Sequence, residues 1–204
     1  MHISIGRRAR LTALGAGLIS AAAFALSAAG PAAADTTDTG GTAALSVPRV
    51  AVVGLAKSTV ILLPGSPGSA SYAHGAETFT MPVTGGTGEV SNFSGKVDLG
   101  GKLIVINTKA GHTVNITDLQ LNFFTGALTG VLSGSTAHMP LAFLSGVLST
   151  SSDPGPPATE TVSSSEVDMS GKLASALNKA LGTKAFVKGT NMGTFTATFD
   201  VAPA

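Results

Sequence analysis

Thr194-Phe195-Thr196-Ala197-Thr198-Phe199-Asp200-Val201 decides the fold class of this 204-residue chain. Phe195, Ala197, Phe199 and Val201 take one parity, and Thr194, Thr196, Thr198 and Asp200 take the other. A strand turns successive side chains to opposite faces, so this period of two sets an apolar face on a core and a hydroxyl-rich face in solvent. The same period runs upstream, where Phe79, Met81 and Val83 alternate with Thr78, Thr80 and Pro82. Leu103 to Ile106 is apolar on both parities, which suits a central strand. Val114 and Ile116 share one parity whereas Leu119, Leu121 and Phe123 share the other. A bulge or a bend between sheets is therefore expected near Thr117-Asp118. Leu128 to Leu132 and Met139 to Leu148 are further short apolar runs. The expected architecture is all-β, a sandwich or barrel.

One short α-helix interrupts the strands and is expected to pack on the sheet. Ser170 is placed to cap its N-terminus, and Leu173, Leu177, Ala180 and Leu181 recur at helical spacing with Lys172 and Lys179 outward. Gly182 stands where a left-handed cap ends a helix. Other segments carry weaker signals. Val50 to Leu63, stopped by Pro64-Gly65, reads as one or two strands; Ser66 to Gly75 reads as a Gly/Ser/Pro loop. Gly85-Gly86-Thr87-Gly88 lacks the Lys-Ser/Thr of a phosphate loop and reads as a hairpin turn. Residues 149–165, centred on Asp153-Pro154-Gly155-Pro156-Pro157, read as a long polar loop, mobile over 150–165.

The N-terminus has the three parts of an export signal. Arg7, Arg8 and Arg10 precede an uncharged Ala/Leu/Gly run from Leu11 to Ala29, and Gly30-Pro31 leads to the small residues Ala32-Ala33-Ala34. The expected organisation is a signal peptide over 1–34, a flexible Thr/Gly/Asp lead-in over 35–48, and one β-domain over 49–204. Cleavage after Ala34 leaves a chain expected to be secreted, at the cell wall or beyond, with no membrane span. It removes three basic residues, leaving nine basic against eleven acidic and no basic run. Nucleic acid and anionic membranes both want clustered Lys/Arg, so neither is an expected partner. The chain has no cysteine, so it must be held by core burial and not by disulfides.

Three stretches resemble the secreted actinobacterial domains grouped as HtaA-like, named for a haem-uptake protein. The first is Phe79-x-x-Pro82-Val83-Thr84-Gly85-Gly86. The second runs Gly95-Lys96-Val97-Asp98-Leu99-Gly100-Gly101-Lys102-Leu103, with one residue more between the paired glycines and Leu than the family pattern has. The third runs from Ala174 through Ala176-Leu177-Asn178-Lys179-Ala180-Leu181-Gly182 to Phe186, Gly189 and Met192-Gly193-Thr194. The resemblance implies an extracellular β-sandwich-like domain. Its better-studied members bind haem through a Tyr supported by His, and many members have no known activity.

A tyrosinate is a hard anionic ligand for ferric haem iron. The chain has one tyrosine, Tyr72, and His74 follows two residues on, in Ser69-Ala70-Ser71-Tyr72-Ala73-His74-Gly75. Tyr72 and His74 are the candidate haem ligands; packing of Tyr72 against the sheet is the competing reading. His112 and His138 read as strand-end or surface residues. With His74, His112 and His138 far apart and no thiolate, no metal site is expected. No G-x-S-x-G elbow occurs, and Glu77, Glu89, Asp98 and Asp118 show no pairing that would set up carboxylate catalysis. An enzyme, such as a hydrolase, is therefore the least supported reading and no catalytic residue is named. A non-catalytic domain binding a cell-envelope partner is the leading reading, with no firm cofactor; a haem-binding module is the alternative.

Overall fold

The structure, a computed structural model, describes residues 38–201 apart from 91 and 156. The proposed signal peptide lies outside the described residues. Eleven strands and two helices follow in order: β1 (Asp38–Pro48), α1 (Arg49–Lys57), β2 (Val60–Gly65), β3 (Ser69–Ala73), β4 (Ala76–Gly86), β5 (Lys96–Leu99), β6 (Lys102–Asn107), β7 (His112–Asn122), β8 (Ala127–Leu132), β9 (Met139–Asp153), β10 (Ala158–Met169), α2 (Gly171–Leu181) and β11 (Thr194–Val201). All strand pairings are antiparallel. The order β7-β5-β4-β1-β11-β10-β9-β8 returns to β7 through a β7–β8 pairing, so eight strands close into a barrel. Closure leaves those strands no free edge to template aggregation.

The barrel splays at one end. β5 is short and covers only the C-terminal halves of β4 and β7. Where it stops, β3 continues along β4 and β6 along β7, and β2 adds to β6. Gly101 at the branch has φ +95, and a Cβ there would meet Gly65 O and Gly68 N at 3.1 Å. The paired glycines of the second motif thus let two turns touch backbone to backbone.

β11 buries Phe195, Ala197 and Phe199 as its alternation requires. They meet Phe79 and Met81 of β4 and Leu119 and Leu121 of β7 in the barrel core, and the Phe123 and Phe199 ring centroids lie 5.6 Å apart. The phase slip in β7 is a bulge: the register to β8 shifts between Thr117 and Gln120, and Asp118 sits at φ +52. α2 has the caps its sequence announces. Ser170 Oγ accepts from Leu173 N at 3.0 Å, and Gly182 is left-handed at φ +63. Its buried face is Leu173, Ala174, Leu177 and Leu181, with Ala180 outside it.

Four expectations are corrected. From Asp38 the lead-in is a strand, β1, paired between β4 and β11. Its inward residues Ala43, Leu45 and Val47 are buried, with Leu45 in register between Phe79 of β4 and Phe195 of β11. Residues 49–57 form a second helix although valines favour strands, because Pro48 ends the ladder and tertiary contacts override a weak local preference. The 66–75 loop contains β3. The 150–165 loop is mostly the paired ends of β9 and β10, whose Thr161–Thr198 and Ser163–Thr196 hydroxyls hydrogen-bond across β10 and β11 at 2.9 and 3.1 Å.

Candidate functional site

Tyr72 and His74 fall at the tip of the β3–β4 hairpin. Ala73 pairs with Ala76, so His74 and Gly75 form a two-residue connection. Their φ values, +51 and +79, are those of a type I′ turn, whose twist matches the strands it joins. Gly75 O also accepts from Arg49 N at 2.9 Å, which ties the turn to the first residue of α1.

Tyr72 stands directly opposite Glu77 in the register. Residues facing each other across antiparallel strands share a face, and on β4 that face continues to buried Phe79. Tyr72 is nevertheless 61% exposed, because the hairpin projects past the closed barrel. Its face borders a groove of about 190 Å³ roofed by α1 through Val52, Leu55 and Ala56, and walled by Ile61 and Leu63 of β2 and Glu77 and Phe79 of β4. Ile61 and Leu63 are 37% and 40% exposed, so the groove shows apolar surface to solvent. Glu77 lines the groove, and Tyr72, its partner across the strands, stands exposed on the same face without itself lining it. The structure does not pack Tyr72 in the core.

His112 and His138 do not join this site. His112 opens β7 beside Gly182 at the end of α2. His138 Nε2 pairs with Asp118 Oδ2 at 2.7 Å on the exposed bulge of β7. Among the described residues no group of three His, Cys, Asp or Glu is arranged to hold a metal ion.

Next to this groove, and sharing Val47, Leu55 and Leu62 with it, lies a larger cavity of about 240 Å³. Leu45 and Val47 of β1, Leu62, Val105 and Ile116 of β2, β6 and β7, and Leu173 and Leu177 of α2 contribute to its wall. Phe186 and Met192, on the segment returning from α2 to β11, close one side. Sequence reasoning missed it because its walls come from elements scattered along the whole domain. The motif residue Asn178 builds one wall: its Nδ2 donates to Phe186 O at 2.7 Å and its Oδ1 accepts from Phe186 N at 3.1 Å.

A third polar feature lies within the barrel near β5. Asp38 is 2% exposed, and its Oδ2 accepts from Gly88 N at 2.9 Å. Its Oδ1, and Oδ1 of Asp98, are buried without a hydrogen-bond partner. Asp38 was not singled out from sequence because it lies in the segment read as a lead-in.

No family model matches the chain, and no curated protein matches it. Among solved structures it is similar to the C-terminal domain of HtaA from Corynebacterium glutamicum, with TM-score 0.59 and 12% identity over 82% of this chain and 99% of that one. The heme-binding protein HtaB from the same organism gives TM-score 0.46 and 13% identity over 82% and 94% of the two chains. At these identities the first likeness establishes the shared fold. Among the described residues no helix is long and apolar enough to cross a membrane.

Proposed function

We propose that this chain, built on the fold of the HtaA C-terminal domain, is an exported, non-catalytic binding domain that takes haem at the groove beneath α1. One observation carries the reading: Tyr72 stands exposed on the groove side of the β3–β4 hairpin, opposite Glu77. The donor set fits the group, since a phenolate oxygen is a hard ligand and the adjoining wall is apolar. Haem supplies ferric iron as the acceptor for that oxygen. The residues do the rest. Ile61, Leu63 and Phe79 offer apolar surface to the macrocycle, and the hairpin fixes the Tyr72 backbone. His74, on the turn beside it, is the group assigned to hold the phenolate as ligand. The resemblance of the three sequence motifs to HtaA-like domains supports the same reading. The broader reading, a domain binding a cell-envelope partner, does not depend on haem.

Titration of the purified protein with haemin, followed by the Soret absorption, tests the proposal. The wild type is expected to shift the band and saturate at one haemin per chain. Tyr72→Phe keeps the ring, removes the oxygen and is expected to weaken binding by about tenfold or more, as loss of a single well-placed polar contact does. His74→Ala is expected to weaken it less. Undiminished binding by Tyr72→Phe would remove Tyr72 from the site, and no shift in the wild type would sink the haem reading.

A further inference from the structure

The larger cavity asks for a different ligand. Its wall carries no tyrosine and no histidine, and the polar residues that reach it, Thr190 and Asn191, are exposed at its mouth. Asn191 Oδ1 is already taken by Gly193 N at 2.7 Å. An occupant therefore gains no buried polar partner, and any polar end it has must stay outside with Thr190 and Asn191. At about 240 Å³ the cavity exceeds the roughly 150 Å³ apolar cavities that stay dry and take up benzene.

The roof is built to give way. Between Arg49 and Lys57 every residue of α1 is apolar or glycine, yet none is buried. Val50 is 79% exposed. At its centre Gly54 lines the cavity, and a Cβ added there would find nothing within 4 Å. Met169 and Met192, unbranched and pliable, stand in the wall and can follow the shape of what enters. Only Ala51, Val52 and Leu55 of α1 pack, partly buried, against the core, and a helix with so few buried contacts can lift at smaller expense than the strands beneath it.

We infer that this cavity binds the hydrocarbon chain of a fatty acid or lipid, with its polar end at the Thr190–Asn191 mouth and α1 as the movable lid. The inference goes beyond the haem reading and does not rest on Tyr72. The two sites share Val47, Leu55 and Leu62 as a common partition, so the experiment reads both.

Calorimetric titration with laurate, below the concentration at which it forms micelles, is the test. The wild type is expected to take up one laurate per chain. Gly54→Leu projects a side chain into the open space beside Gly54 and is expected to lower laurate affinity by about tenfold or more, with the haemin titration unchanged. Gly54→Ala adds a single carbon and is expected to retain both, which shows that a side chain at this position leaves α1 intact. Lauroyl lysophosphatidylcholine forms the second arm. Uptake of both probes assigns the chain of a membrane lipid, and uptake of laurate alone assigns a free fatty acid. The inference is overturned if the wild type takes up neither probe, or if Gly54→Leu binds laurate as the wild type does. It is also overturned if Gly54→Leu abolishes haemin binding together with laurate binding, because the cavity would then belong to the haem site.

Discussion

Asp38 shows how one carboxylate can set a pH dependence. Burial pushes its pKa up from 3.8 to about 6, opposed by the hydrogen bond from Gly88 N–H and assisted by the charges of Glu160 and Asp98. A raised carboxyl pKa means that the folded state holds its proton more tightly than the unfolded chain does. The stability this group contributes is therefore complete below 3.8 and is lost as pH rises through about 6. Asp38→Asn keeps an acceptor for Gly88 N–H and replaces the unpartnered, ionising oxygen with a neutral donor. At neutral pH the variant is expected to be more stable than the wild type by about 1–3 kcal/mol, with the difference vanishing toward pH 4. Urea unfolding at a series of pH values measures it, and a variant no more stable at neutral pH would contradict the assignment. Tyr72 was legible as a candidate because it is the chain's one tyrosine. Asp38 was not, because its burial depends on strands from distant parts of the chain.

At the scale of elements, the two helices that bound the cavity are joined through one buried amide. Asn107, 5% exposed at the end of β6, donates from Nδ2 to Leu181 O at 2.9 Å, at the last residue of α2. Its Oδ1 accepts from Thr59 Oγ1 at 3.0 Å and from Lys109 N and Ala110 N, both at 3.1 Å. Thr59 follows α1 and sits at φ +61, a left-handed conformation that a β-branched residue adopts only under constraint. Asn107 is thus the clamp that holds this end of α1 and the C-terminal turn of α2 against the β6–β7 turn. Asn107→Ala takes these partners from Leu181 O and from the Lys109 and Ala110 amides, while Thr59 Oγ1 keeps Ser58 O at 2.6 Å, and it is expected to cost about 1–3 kcal/mol. Hydrogen exchange should rise first in residues 49–59 and near Leu181, and protection unchanged there would show that the clamp does not couple them. The caps of α2 were readable because Ser170 and Gly182 act locally. The α1 helix was not, since its valines point to a strand, and the Pro48 boundary, the Gly75 anchor, the Asn107 clamp and the packing of Ala51, Val52 and Leu55 on the core are all tertiary.

For the whole molecule, the proposed export signal carries its own test. Protein recovered outside the cells is expected to begin at Asp35, read by N-terminal sequencing; a chain beginning at Met1 would overturn the proposed cleavage. Ordinary alternation determined the all-β class by itself: Phe195, Ala197 and Phe199 can reach one core only as a strand, whatever pairs beside them. The β7 bulge followed from the same rule, because a change of parity at Thr117-Asp118 must be absorbed by an unpaired residue. The closure into a barrel, the pairing of β1 between β4 and β11, and the splay beyond β5 were decided only in three dimensions. Parity says which face of a strand is buried but not which strand lies beside it. The groove at Tyr72 and the cavity beneath α1 belong to that second class. Their walls are drawn from both helices and from β1, β2, β4 and β6 to β10, so no single stretch of sequence shows the space they enclose.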